Sequence, residues 1–190
     1  MLNKRLILTF TLSAALLAGC STTHYIQIDP TAAIQSEKLT NNRVIQVSTT
    51  TNIGNQIGSI KTGLNEHADI FTTNDVKQSV NQSIVNGLRK LGFTLDQGVL
   101  PPAKVDVVIT KMSYTTKVDN LKTIATLNFA LNVTVTAGDE TYKATFASQK
   151  TEEYGTLPYQ SAVQKDMNGL ASKTVTRLLE DQSIIKLLQQ

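Results

Sequence analysis

The stretch LKTIATLNFALNVTVT, residues 121–136, decides the fold. Leu121, Ala125, Leu127, Phe129, Leu131, Val133 and Val135 fall on odd numbers. Lys122, Thr126, Asn128, Asn132, Thr134 and Thr136 fall on even ones. Successive strand side chains point to opposite faces, so this run is a long strand with one apolar and one wet face. Gly138-Asp139 then turns the chain, and Tyr142, Ala144 and Phe146 alternate with Thr141, Lys143 and Thr145. Upstream, Val105, Val107 and Ile109 share one parity, while Met112, Tyr114 and Val118 share the other. A bulge, or a strand leaving the core midway, accounts for such a switch. Asp119-Asn120 marks the turn between these runs, so the three strands form an antiparallel meander.

Two helical patterns flank the meander. Val76, Val80, Ile84, Leu88 and Leu91 recur at helical spacing. Thr72 and Asp75 have capping-box spacing, with Thr73 or Asn74 as a second candidate cap. Gly92 is the expected left-handed stop, followed by Phe93. Val163, Met167, Leu170, Ala171, Val175 and Leu178 line a second helix, opened by Thr156 and Pro158. A short apolar segment, Ile184 to Leu188, reads as a last helical turn or two on the sheet. Val44, Ile45 and Val47 suggest a first strand. Ile53, Ile57 and Ile60 could form a second, but Gly54, Gly58 and Gly63 weaken it, so residues 50–72 read as a loosely structured hairpin or loop. The expected fold is α+β: a two-layer sandwich with a mainly antiparallel sheet of 4–5 strands and two helices packed on one face.

The N-terminus carries an address. Lys4 and Arg5 precede an apolar run from Leu6 to Leu17, shorter than the ~20 residues of a membrane span and suited to a signal peptide. It ends in Leu17-Ala18-Gly19-Cys20. Small residues suit a protease that binds extended backbone, and the cysteine sulfur accepts diacylglycerol. This is a lipobox. Residues 1–19 are the expected lipoprotein signal peptide. Residues 20–42 are the lipidated N-terminus and a flexible tether, in which Tyr25, Ile26 and Ile28 could add a short strand. Residues 43–190 are a single periplasmic domain. Cys20 is the only cysteine, so no internal disulfide can form. Ser21 lacks the aspartate that favours inner-membrane retention, so the expected location is the outer membrane, lipid-anchored and facing the periplasm.

Charge and composition point away from several functions. Losing Lys4 and Arg5 with the signal lowers the formal charge from +3 to about +1, which gives no argument for nucleic-acid binding. There is no tryptophan and no basic–aromatic platform for bases. Only His24 and His67 could serve a zinc site or a triad, and no His-Glu-x-x-His or Gly-x-Ser-x-Gly motif accompanies them. Glu152-Glu153 is the only adjacent Glu pair, and neighbours in a strand point to opposite faces. Asp139-Glu140 belongs to a hairpin turn. No catalytic residue, metal site or cofactor is expected, and the chain is not expected to be an enzyme. Asn128, Asn132, Thr134 and Thr136 form the candidate ligand face. Tyr154 and Tyr159 either make a contact patch before the second helix or cover the sheet end.

The whole chain resembles the YajG family of uncharacterised lipoproteins. The likeness lies in the lipobox, the polar tether, the first strand at Val44 to Val47, the helix ending in Leu91-Gly92-Phe93, the meander and the final helix. Family members often carry an Asp-x-Arg motif after the first strand and an Ile-Gly pair further on. Here Ile57-Gly58 is present, and Thr50 and Asn52 stand where the Asp-x-Arg would be. The resemblance implies an outer-membrane-anchored periplasmic domain and supplies no activity. The expected role is a non-enzymatic accessory or interaction protein of the envelope, with the membrane and an envelope protein as partners. The alternative is a ligand-binding lipoprotein for a cell-wall fragment or lipid.

Overall fold

The computed structural model describes residues 23–35, 39, 43–64, 66–95 and 100–190. Within them the strands are β1 (His24–Ile26), β2 (Arg43–Thr51), β3 (Gln56–Lys61), β4 (His67–Thr72), β5 (Leu100–Asp119), β6 (Lys122–Ala137) and β7 (Glu140–Tyr154). The helices are α1 (Val76–Lys90), α2 (Gln160–Leu179) and α3 (Gln182–Gln189). The sheet runs β1-β4-β3-β5-β6-β7, with β2 also on β5.

This corrects the expected mainly antiparallel sheet of 4–5 strands with two helices. Among the described residues there are seven strands and three helices. The sheet is mixed: β3–β4, β5–β6 and β6–β7 are antiparallel, whereas β1–β4, β2–β5 and β3–β5 are parallel. A parallel pair needs a long crossover, and the segment containing α1 supplies it between β2 and β5. The glycine-spaced region, expected as a loosely structured hairpin or loop, is the regular hairpin of β3 and β4.

The long strand β5 organises the sheet. Its first half pairs with β2, from Ile45↔Ala103 to Thr51↔Ile109. Its second half pairs with β3 at Gly58↔Tyr114 and Ser59↔Thr115. A register shift between Ile109 and Lys111 divides the halves. This bulge exchanges the parity of the buried residues, so Val105, Val107 and Ile109 share the core with Met112 and Tyr114. Gly58 lies where β3 meets β5, and a Cβ there would overlap the Tyr114 carbonyl.

On β6, the odd-numbered residues from Ala125 to Val135 are buried. Helix α1 packs on β2, α2 on β6 and β7, and the two helices on each other. The cap of α1 is Asp75, which accepts from the Lys77 and Gln78 amides, rather than Thr72, Thr73 or Asn74. Its end is a Schellman turn: the Phe93 amide donates to the Leu88 carbonyl and Gly92, at φ +95°, donates to Arg89. Helix α2 begins at Gln160 after Tyr159, later than Thr156 would cap it.

The expected domain start near Arg43 is too late. Residues 24–34 are built into the domain as an extended strap between α1 and α2. Ile26, Ile28, Pro30 and Ala32 alternate inward and are buried. Burying an isoleucine contributes about 2 kcal/mol, which a free tether forgoes. The remainder of the expected tether, residues 20–22, 36–38 and 40–42, lies outside the described residues.

Candidate functional site

The strap is held by a polar ladder on α2. The amides of Tyr25, Gln27, Asp29, Thr31 and Ala33 donate to the side chains of Gln160, Gln164, Asn168, Ser172 and Thr176, at 2.6 to 3.2 Å. Two strand residues advance about 6.8 Å and four helical residues about 6 Å, so the repeats nearly match. On the strap's other edge, Asn74 accepts from the Ile28 amide and donates to the Ile28 carbonyl, both at 3.0 Å. Asp29 accepts from Ser79 at 2.6 Å and from Asn74 at 3.1 Å.

Between strap and α1 runs a polar groove. One section, about 330 Å³, is lined by Asp29 to Thr31 and by Gln78, Ser79, Gln82, Ser83 and Asn86. It continues past Ala32 toward Arg89 and Lys90 as a section of about 250 Å³. Ser83 lines both sections, and its buried hydroxyl has no hydrogen-bond partner among the described residues. A smaller cleft of about 140 Å³ opens at the break between β2 and β3, beside the first turn of α1.

A third polar cluster joins sheet to helix. Tyr154 donates to Asp166, Tyr114 donates to Tyr154 at 3.4 Å, and Lys150 reaches Asp166 at 3.3 Å and pairs with Glu152. Burial pushes the Tyr114 phenol up to about 12. Burial, reinforced by the Asp166 carboxylate, raises Tyr154 well above the ordinary phenol range. The hydrogen bond to Glu152 raises Lys150. Both phenols therefore keep their protons at neutral pH, and the cluster ties β5 and β7 to α2.

The candidate ligand face is on the solvent side of β6. Asn128 donates to Ser113 at 3.2 Å, Thr145 donates to Asn132 at 2.9 Å, and Thr136 meets Thr141 at 3.5 Å. Much of its hydrogen-bonding capacity is spent across strands, and the three clefts above are lined by other residues. Cys20 and the Leu17, Ala18 and Gly19 recognition residues lie outside the described residues. Tyr154 joins the phenol cluster, whereas Tyr159 is exposed. Of the two histidines, His24 begins β1, where burial lowers its pKa, and His67 begins β4. Among the described residues no group of three His, Cys, Asp or Glu could hold a metal. No described helix is long and apolar enough to cross a membrane.

The strap ladder escaped sequence reasoning. Its signal is present in retrospect: a period-two apolar run at 26, 28, 30 and 32, and polar acceptors every fourth residue from Gln160 to Thr176.

Mixed sheet, helical layer and inserted strap define a small domain of mixed α and β structure. A family model described as "Uncharacterized lipoprotein" matches residues 30–189, and the chain belongs to that family, the YajG family of lipoproteins. No curated protein matches the sequence. Among solved structures, a Xanthomonas campestris protein of the DUF330 family is similar at 9% identity, with a TM-score of 0.56 over 88% of this chain and 95% of that one. That likeness is one of fold. An uncharacterized protein is similar at 14% identity and TM-score 0.44, over 84% and 99% of the two chains. A Helicobacter pylori protein described as a neuraminyllactose-binding hemagglutinin homolog is similar at 11% identity and TM-score 0.43, over 83% and 96%.

Proposed function

We propose that this lipoprotein is anchored in the outer membrane, faces the periplasm and acts as a non-enzymatic interaction protein of the cell envelope. The observation that carries the reading is β7. It is 15 residues long and, among the described strands, pairs only with β6, so one edge is left for another chain. An unpaired edge offers backbone donors and acceptors to a partner strand. Lys143, Lys150 and Glu152 on β7 are the charges by which edges avoid indiscriminate pairing. Arg177 already donates to the Ala147 carbonyl at 2.6 Å, so a partner would have to displace or accommodate that contact.

The test is photo-crosslinking in intact envelopes from a reactive residue at exposed Gln149 on β7. A discrete, reproducible adduct supports the reading. No adduct, where a known envelope complex is recovered in parallel, defeats it.

The second reading is a ligand-binding lipoprotein for a cell-wall fragment or lipid. It is favoured by the groove between strap and α1, where the unpartnered Ser83 hydroxyl stands among amide side chains. Such a lining suits a hydroxyl-rich ligand.

A further inference from the structure

Most of the large apolar side chains exposed among the described residues gather toward one end of the molecule. They are Tyr25, Leu64, Val118, Leu121, Leu157 and Tyr159. The topology brings them together. Leu64 lies between β3 and β4, and Val118 and Leu121 belong to the β5–β6 hairpin. Strand β3 runs parallel to β5, and the Lys61 amide reaches Thr116 at 2.8 Å, so these two hairpins end side by side. Strand β7 returns to the same end, with Tyr154 opposite Thr123, and leads into Leu157 and Tyr159. The Tyr25 amide meets Gln160, the first residue of α2, and its ring stacks on Phe71 with centroids 6.1 Å apart.

Leu121 is the most informative of the six. It is 93% exposed and sits at φ +68°, after Asn120 at φ +44°. A two-residue hairpin with both φ positive favours Asn-Gly. Leucine here is strained and meets solvent, two disadvantages that glycine would remove. Strain retained at an exposed position points to a use for the side chain.

The chain length upstream supplies the occupant. Strand β1 runs parallel to β4, away from the β3–β4 tip, so the chain enters β1 from this end. Cys20 lies four positions before His24, a reach of at most about 14 Å. An acyl chain on Cys20 therefore holds this end close to the headgroups. The charges here are mixed, with Lys61, Lys117 and Lys122 against Glu66, Asp119 and Glu153. Neither sign dominates, so attraction to anionic lipid is not the driving force.

We propose that this end docks on the bilayer that carries the protein's own anchor. The leucines enter the interface and the tyrosines lie at headgroup level, where amphipathic rings are favoured. The proposal rests on the lipobox reading, adding a second membrane contact and a fixed orientation that leaves the β6–β7 turn distal.

The chain has no tryptophan, so single probes report without background. The full-length protein carrying Leu121→Trp is reconstituted into phosphatidylethanolamine–phosphatidylglycerol vesicles with brominated acyl chains. Leu64→Trp probes the neighbouring hairpin, and Asp139→Trp the opposite end. Emission from Leu121→Trp and Leu64→Trp is expected to fall at least about two-fold, while Asp139→Trp is unchanged. A chain that floats with the vesicles and labels with palmitate, but whose Leu121 and Leu64 probes are unquenched, overturns the docking and leaves the anchor standing. Probes shielded from acrylamide only in native envelopes indicate a protein occupant and also overturn it. A chain that neither floats nor labels overturns the anchor itself, and the proposal with it.

Discussion

The carboxamide of Asn168 treats the backbone around Asp29 as a neighbouring strand would. Its Oδ1 accepts from the Asp29 amide at 2.6 Å and its Nδ2 donates to the Gln27 carbonyl at 2.7 Å. With Asn74 doing the same for Ile28 on the other edge, the strap is hydrogen-bonded on both sides without lying between two strands.

Asn168→Ala should therefore loosen the strap. Both strap groups lose a protein partner, but water can reach them, so the expected cost is about 1 kcal/mol, or about 2–4 °C in Tm. Thermal unfolding together with hydrogen exchange at Gln27 and Asp29 checks this. Unchanged exchange at both amides would mean that the buried isoleucines alone hold the strap.

Gly58→Ala should be far more damaging. The new methyl would collide with the Tyr114 carbonyl, which belongs to backbone and cannot swing aside. Strand β3 would have to leave β5 just past the bulge. A loss above about 2 kcal/mol is expected in urea unfolding. Ala at Gly54, where nothing lies within 4 Å, serves as the mild comparison. Equal effects at the two sites would refute the close-approach account of the Ile57-Gly58 pair.

Alkaline pH should weaken the fold through the phenol cluster. Tyr114 binds its proton more tightly when folded, at about 12, than in the unfolded chain at 10.0. Its contribution is complete below pH 10 and is lost as pH rises toward 12. Tyr154 shifts in the same direction and adds to the same trend. In urea titrations from pH 9 to about 12, Tyr114→Phe should show a shallower decline than the parent. Parallel curves would remove Tyr114 from the explanation.

Cys20→Ser should leave an unlipidated, unprocessed precursor. Palmitate labelling in cells reads the first effect and gel mobility the second. Label persisting in the variant would rule out Cys20 as the acylated residue.

The meander was legible because β6 alternates without interruption and both of its neighbours are joined to it by short turns. The β5 bulge was legible for the same reason: the buried parity changes between Ile109 and Met112. The pairing of β2 was not legible, because Val44, Ile45 and Val47 specify a strand but not its partner. Glycine misled in one place. At Gly58 its poor strand propensity argued against β3, yet the contact with Tyr114 requires it. The strap lay hidden in a polar composition because its partners on α2 are 135 to 143 residues away in sequence. Of the candidate site, the outward direction of Asn128, Asn132, Thr134 and Thr136 could be read from parity. The groove could not, since it exists only once strap and α1 are side by side.

The strap also fixes how the domain answers mechanical load. A pull through the N-terminus acts along the axis of β1 and of the extended residues behind it. The bonds from Tyr25 to Ala33 lie across that axis and are loaded together, in shear, instead of parting one at a time like a zipper. The attachment is thus strongest in the direction from which a membrane tether would tug.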